Sequence, residues 1–227
     1  NTQLANKLRE LEIKHYRLQK VTDSLEDSNS IIMTIANAVE AKDIVTNGHV
    51  NSVAYWSVSL GELLELYNEE MDILKKGAML HDIGKIGIPD SILNKPGALT
   101  NEEFDIMKTH TIIGENIIKS LKSFNDIKSI IRHHHEKLDG SGYPDGLKDT
   151  QIDICTRIVA IVDIYDALTM DRPYRKAMSV EQAFSILESD AKRGLLDFSI
   201  IEILKKEVAK NSDFVCILGA SKPAHAI

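Results

Sequence analysis

Aromatic residues, glycine and proline are all scarce in this chain of 227 residues. Phe, Trp and Tyr make up 5% of it, and there are 12 glycines and 5 prolines, whereas 43% of the residues are hydrophobic. This composition favours an all-α architecture with a substantial core. The length suits either one large domain with an extension or two small domains.

Cysteine, long apolar runs and excess positive charge are also lacking. The two cysteines, Cys155 and Cys216, form no CxxC pattern, so a reduced, cytoplasmic protein is the simplest interpretation. No apolar run reaches the roughly 20 residues that span a bilayer, and no signal peptide is visible; we expect no membrane insertion. The net charge of −7 argues against DNA or RNA partners, although bound metal ions can attract a small anionic ligand to an acidic cleft.

The first 40 residues predict a long N-terminal helix. Leucines recur every seven residues, at Leu4, Leu11, Leu18 and Leu25. The alternate core positions are polar: His15, Thr22 and Asn29. Such a seam indicates either pairing of this helix in a homodimer or packing on its own domain, and both interpretations stay open.

Helical spacing of apolar residues continues along the rest of the chain. The stripes are Val53, Trp56, Leu60, Leu63 and Tyr67; Ile154, Ile158, Ile161, Tyr165 and Leu168; Val180, Ala183, Phe184 and Leu187; and Ile200, Leu204 and Val208. Thr100 and Glu103 have the spacing of a capping box that opens a helix. We expect a linker or dimerisation helix over 1–37, a main domain over 38–212 and a tail of unassigned role over 213–227.

Histidine and aspartate carry the chemical signal. Six of the eight histidines fall between His49 and His135, mostly at predicted helix ends. His81 and Asp82 follow an apolar helix and precede Ile-Gly-Lys-Ile-Gly, and a run of three histidines ends at His135. Asp163 interrupts an apolar helix, where a carboxylate is costly to bury unless it is paired or bound to a metal. Imidazole with carboxylate suits Mn, Fe, Ni or Zn.

Such a donor set suits hydrolysis of phosphate esters. Two metal ions about 3.5–4 Å apart can hold a hydroxide and clamp the phosphoryl oxygens. Lys85 lies three residues beyond Asp82 and can neutralise charge that develops on the phosphate. Each of these residues alone has an ordinary explanation as a core or surface side chain. Their joint occurrence in one helical domain carries the prediction.

The motifs resemble the HD-GYP domains, a branch of the HD phosphohydrolase superfamily. The matching stretches between about residues 38 and 200 are Gly48-His49, 80–89, 93–100, His110 with Gly114, 134–147, 157–168 and 171–175. The resemblance implies an all-α helical bundle of the HD phosphohydrolase type. It also implies hydrolysis of cyclic di-GMP, a bacterial second messenger, to pGpG and/or GMP.

Residue roles follow from the same resemblance. The implied metal ligands are His49, His81, Asp82, His110, His134, His135 and Asp163. Asp82 would bridge the ions, with Fe or Mn expected first and Zn or Ni also suitable. Lys85 would contact the scissile phosphate, and Arg172 and Arg175 the phosphates or guanines. Tyr143 would shape the site, and His133 would stand outside it.

Three departures from the family pattern leave alternatives open. Ser52 replaces the usual Arg, Leu196-Asp197-Phe198 replaces a Phe-Asp-Pro motif, and Val45 stands where a minority of members have a Glu ligand, so we expect two metals and not three. The alternatives are a receptor that binds the nucleotide without turnover, a module that docks a diguanylate cyclase through the Gly-Tyr-Pro loop, and an enzyme for another substrate. Because the chain begins with Asn1, we expect it to be a piece of a longer protein. By analogy with the family, the polar-interrupted leucine stripe indicates an upstream sensor or receiver domain.

Overall fold

The computed structural model describes residues 2–43, 48–171 and 176–211. The chain divides into two compact units, one up to Ile35 and one from Ala36 onward. The α-helices of the described residues are α1 (Thr2–Glu40), α2 (His49–Leu63), α3 (Asn68–Leu80), α4 (Asp90–Leu93), α5 (Asn101–Lys108), α6 (His110–Ile118), α7 (Lys128–His133), α8 (Ile154–Thr169), α9 (Val180–Lys192) and α10 (Phe198–Lys210). Three 3-10 helices join them, at Ile83–Gly87, Lys122–Ile127 and Asp149–Gln151. No strand occurs in these ranges, and the all-α prediction is confirmed.

The first unit lies within α1. Leu11, Ile13 and Tyr16 are exposed by 59%, 47% and 62%. Pairing of this helix in a homodimer therefore stays a prediction. Among the described residues, no helix combines the length and the apolar character that a bilayer span requires.

Helix α8 forms the centre of the second unit. The side chain of Asp153 caps its first turn by accepting a hydrogen bond from the backbone N–H of Thr156 at 2.8 Å. The predicted stripe faces inward: Ile158, Ile161 and Tyr165 are buried, and α8 contacts α2, α3, α7, α9 and α10. Each such aliphatic side chain stabilises the fold by about 1.5–3 kcal/mol on burial.

Most other helix predictions are also confirmed. Ala183 and Leu187 of α9 and Leu204 of α10 are fully buried. At the start of α5 the capping box is present: Thr100 N–H donates to the Glu103 carboxylate at 2.7 Å, and Glu103 N–H donates to the Thr100 hydroxyl at 3.3 Å. Local sequence and tertiary burial agree along these segments.

The end of the α2 stripe was predicted wrongly. Val53, Trp56 and Leu60 are buried, but Leu63 is 45% exposed and Tyr67 80% exposed. Helix α2 ends at Leu63 and a left-handed residue follows two positions later, so the chain turns before Tyr67 can continue the face. Tyr67 instead is the N-cap residue before α3, where its N–H donates to the Glu70 carboxylate at 3.0 Å.

Gly84 allows the first 3-10 helix to touch α6. A Cβ atom on Gly84 would lie 1.7 Å from the carbonyl oxygen of His110 and 2.6 Å from the backbone nitrogen of Gly114. Both are backbone atoms, which cannot move away as a flexible side chain could. This close approach brings the segment that follows Asp82 against the helix that begins at His110.

We expect Gly84→Ala to lower the free energy of unfolding by about 3 kcal/mol or more, because the new methyl group overlaps backbone. Urea unfolding of the metal-free protein measures this loss. Gly97→Ala is the matched control: no atom lies within 4 Å of the added Cβ, and only its φ of +143° is unfavourable. That control costs about 1–3 kcal/mol. Equal losses in the two variants would contradict close contact at Gly84.

Candidate metal centre

Two groups of side chains that could hold a metal ion lie in the second unit. One comprises Asp82, His110, His134 and His135, and the other His49, His81 and Asp163. Within each group the candidate ligand atoms lie within 4.8 Å of one another. The structure thus brings together all seven side chains to which the sequence assigned metal ligation.

Asp82 faces both groups at once. Its Oδ2 atom lies 3.4 Å from Nε2 of His81 and 3.9 Å from Nε2 of His49. Its Oδ1 atom lies 3.3 Å from Nε2 of His110 and 3.9 Å from Nε2 of His134. One carboxylate oxygen therefore points to each donor group, which is the arrangement that a bridging ligand needs.

Three of the imidazoles are oriented by the last turns of the helices that precede them, α3, α5 and α7. Nδ1 of His81 lies 2.8 Å from the carbonyl oxygen of Ala78, and Nδ1 of His110 lies 2.7 Å from that of Met107. His134 repeats the pattern toward Ile131, at 3.1 Å. A carbonyl oxygen only accepts, so Nδ1 carries the hydrogen and Nε2 is left as a donor atom for a metal. Carbonyl oxygens in the last turn of a helix lack intrahelical N–H partners, and these rings donate the missing hydrogen bonds.

His49 is oriented by a carboxylate instead. Its Nδ1 atom lies 2.6 Å from Oδ2 of Asp166, and both side chains are buried. This carboxylate–histidine pair leaves Nε2 of His49 3.5 Å from Oδ1 of Asp163. Sequence reasoning gave Asp166 no role, although its position three residues after Asp163 on α8 places both on one helix face.

Charges in the cluster separate the pKa values of its members. Burial would lower the pKa of His81, but the carboxylates of Asp82 and Asp163 outweigh it and raise that pKa to about 9. Burial, aided by the neighbouring His81 and His110, lowers the pKa of His134 to about 3. Burial also lowers the pKa of His135 well below its usual range. Neutral imidazoles are the form that binds metals, whereas His81 must release its proton to do so.

Lys85 supplies the cation that lies beside the carboxylates. Its Nζ atom lies 2.7 Å from Oδ2 of Asp82 and 3.0 Å from Oδ2 of Asp43. Burial alone would lower the pKa of Lys85, but these two carboxylates raise it. In return, Lys85 and then His81 hold the pKa of Asp82 well below its usual range, against the opposing effect of burial.

Tyr143 lies against the donor groups and His133 does not. The Tyr143 ring stacks on His135 with centroids 4.8 Å apart, and the Phe104 ring meets it edge-on at 6.2 Å. His133 turns away, with Nε2 2.8 Å from Oδ2 of Asp145. The first histidine of the run thus takes part in a separate ion-pair cluster.

The loop that carries Tyr143 is tied down by Glu136, which sequence reasoning overlooked. The buried Glu136 carboxylate accepts hydrogen bonds from the backbone N–H groups of Asp145, Gly146 and Leu147 at 2.7, 3.0 and 3.1 Å. A Cβ on Gly142 would lie 2.4 Å from Cα of Glu136, so the loop folds directly onto this residue. No periodicity marks Glu136; only its place between the histidine run and a glycine-rich turn hints at it.

The remaining predicted residues fall outside these groups. Arg172, Arg175 and Val45 lie outside the described residues. Ser52 is buried in α2, and Asp197 caps α10 by accepting from Ser199 N–H at 3.0 Å. Asp197 also accepts from the guanidinium of Arg157 at 3.0 Å, so what remains of the C-terminal motif still joins α8 to α10.

The donor atoms fit divalent transition metals. Imidazole nitrogens and carboxylate oxygens converge in both groups, and such mixed sets suit Mn, Fe, Ni and Zn better than Ca or a structural four-cysteine zinc site. The histidine-rich cluster is thus able to bind divalent ions. The fold and this cluster together define a helical metal-binding domain.

Comparisons with known proteins agree with this class. Residues 33–200 match the sequence model of a family described as HD domain. The cyclic di-GMP phosphodiesterase response regulator RpfG of Xanthomonas campestris is 38% identical over 192 residues, or 84% of this chain and 50% of that protein. The 3'3'-cGAMP-specific phosphodiesterase 2 of Vibrio cholerae is 42% identical over 164 residues, or 71% of this chain and 31% of that protein.

A solved structure shows the same relationship. Bd1817 of Bdellovibrio bacteriovorus, described as an HDG"Y"P protein, superposes with a TM-score of 0.60 at 25% identity, over 71% of this chain and 51% of that one. The chain belongs to the HD domain family, and to its HD-GYP branch. It spans about half the length of RpfG and about a third of the Vibrio enzyme.

We expect Asp163→Ala to lower the metal content from two ions to about one per chain, because one donor group loses its own carboxylate. Elemental analysis of protein purified anaerobically measures the ratio. Ser52→Ala, in α2 and outside both groups, is the control and keeps the full content. Equal metal content in Asp163→Ala and the unsubstituted chain would refute the assignment.

Glu136→Ala leaves three backbone N–H groups of the Tyr143 loop without their acceptor. These groups are only part-buried, so water can replace some of the lost hydrogen bonding, and we expect the unfolding free energy to fall by about 1–3 kcal/mol in total. Urea unfolding measures it. Glu69→Ala, at an exposed position in the first turn of α3, should cost less than about 1 kcal/mol. A similar small cost for Glu136→Ala would show that the loop has another anchor.

Proposed function

We propose that the domain hydrolyses a phosphodiester bond of a cyclic dinucleotide, with cyclic di-GMP as the leading substrate and pGpG and/or GMP as products. Its cofactors would be two divalent transition-metal ions, Fe or Mn first and Zn or Ni next. When bound, such ions supply Lewis acidity and an activated water at neutral pH. This hydrolysis would serve bacterial second-messenger signalling.

One observation carries this proposal: the two oxygens of Asp82 face different donor groups. Oδ1 is nearest to His110 and Oδ2 nearest to His81, at 3.3 and 3.4 Å. A single metal ion would be bound by only one of these two sets of imidazoles and would not need a carboxylate between them. A phosphodiester held in line between two ions does need this arrangement.

The side chains around the ligands would divide the remaining work. Lys85, whose ammonium borders Asp82 at 2.7 Å, would neutralise charge that develops on the phosphoryl oxygens. Tyr143, stacked on His135, would border the substrate. That inward stacking supports a role at the site over one in docking a diguanylate cyclase. For Arg172 and Arg175, contact with phosphates or guanines rests on the resemblance alone.

The substrate could also be another cyclic dinucleotide. Relatives at similar identity are named for two substrates, cyclic di-GMP and 3'3'-cGAMP. Both compounds contain the phosphodiester that the donor groups would engage. Comparing rates on the two compounds decides between them.

A receptor without turnover is the second candidate function. The observation in its favour is Ser52, which stands in α2 where the family usually has Arg. Such a receptor would bind the dinucleotide tightly in calorimetry and release no product. An active enzyme would consume it under the same conditions.

The test incubates the Mn- or Fe-loaded domain with cyclic di-GMP or 3'3'-cGAMP under anaerobic, reducing conditions, with chromatography of the products. We expect pGpG or GMP from cyclic di-GMP. Lys85→Ala should lower kcat by about 10²–10³-fold, the usual loss when one charge-stabilising group is removed. The control is Lys76→Ala, which removes a lysine that pairs with Asp72 on the surface of α3 and should leave kcat unchanged. No product from either dinucleotide with metal bound would contradict the proposal.

A further inference from the structure

Asp43 provides Lys85 with a second carboxylate partner besides Asp82. It is 7% exposed and belongs to the turn that follows α1. Its Oδ2 atom accepts a hydrogen bond from Nζ of Lys85 at 3.0 Å. The Lys85 ammonium therefore lies between two carboxylates, one from a donor group and one from outside both groups.

The preceding residue holds the backbone of the same segment. Nζ of Lys42 donates to the carbonyl oxygens of Ile86 and Ile88 at 2.9 and 2.7 Å, and to that of Lys85 at 3.4 Å. Lys42 also forms an ion pair with Asp90 at 3.3 Å. Two adjacent side chains, Lys42 and Asp43, thus fix the main chain and the side chain of Lys85 respectively.

Little free space surrounds the ammonium. Asp43, His49, Asp82 and Lys85 border one cavity of about 20 Å³, which has room for about one water molecule. A lysine side chain in solvent has several freely rotating bonds, but here its end is confined between two anions. Such confinement is what a charge needs in order to act on a transition state without first being reorganised.

We infer that Asp43 is a positioning residue for Lys85: it holds the ammonium where the proposed phosphodiester reaction needs a positive charge. Asp43 belongs to neither donor group. The inference rests on the proposed function for its effect on turnover. The geometry of the Asp43–Lys85 pair stands independently of it.

The test compares Asp43→Asn, Lys85→Gln and the double variant, each loaded with Mn and assayed with cyclic di-GMP and 3'3'-cGAMP. Asp43→Asn keeps the size of the side chain and removes its charge. We expect kcat to fall by about 10- to 100-fold, with KM changed less and metal content unchanged. In the Lys85→Gln background, Asp43→Asn should have no further effect on kcat beyond about twofold, because groups that act through one another are not additive.

Two results would overturn the inference. If the losses in kcat multiply in the double variant, Asp43 acts independently of Lys85. If Asp43→Asn loses metal together with activity, it acts on the metal centre. Asp72→Asn is the matched control, since Asp72 also pairs with a lysine, Lys76, at 2.5 Å but on the exposed face of α3; its kcat should be unchanged.

Failure of the proposed function would be visible separately. The unsubstituted chain would then turn over neither dinucleotide, and kcat could not be used. Urea unfolding of the same four chains still measures the Asp43–Lys85 interaction. If the shifts in urea midpoint of the two single variants do not add up to the shift of the double variant, Asp43 and Lys85 interact and the pair stands. Additive shifts would overturn the inference whatever the substrate.

Discussion

The charge of Asp82, whose side chain is 15% exposed, is the constraint on which the site depends. A carboxylate surrounded by protein is unfavourable unless cations or hydrogen-bond donors compensate it. Here the ammonium of Lys85 lies 2.7 Å away and the imidazoles of His81 and His110 lie within 3.4 Å. Because each partner is needed to balance the others, substitutions in this cluster will not have independent effects.

Helix ends hold the cluster in place. The rings of His81, His110 and His134 each point Nδ1 at the carbonyl three residues earlier. A histidine at the end of a helix therefore caps that helix and presents Nε2 to the site with one side chain. This explains why three separate helix ends, those of α3, α5 and α7, meet at one centre. The backbone contact at Gly84 then brings Asp82 within reach of His110.

What the sequence could predict depended on whether the signal was local. The α8 stripe, the Thr100 capping box and the pairing of Asp163 with imidazoles follow from spacing and from the cost of burying a carboxylate, and the structure has all three. The exposure of Tyr67 was missed because a turn after α2 interrupts the apolar spacing. Glu136 and Asp43 were missed for another reason: their partners are three loop N–H groups and a lysine 42 residues away. Neither kind of contact produces a periodic pattern in the sequence.

In the proposed reaction, bond cleavage and base recognition would fall to different groups. The donor groups would engage the phosphodiester, which every cyclic dinucleotide contains, so these ligands alone cannot select a base. Selection requires contacts with the base itself, because discrimination comes from groups that one substrate satisfies and another leaves unpaired. The nearest aromatic surface is the Tyr143 ring, with Phe104 46% exposed beside it. Aromatic rings stack on any base with little preference, so the choice between guanine and adenine has to come from hydrogen-bonding side chains beyond both the ligands and this aromatic pair.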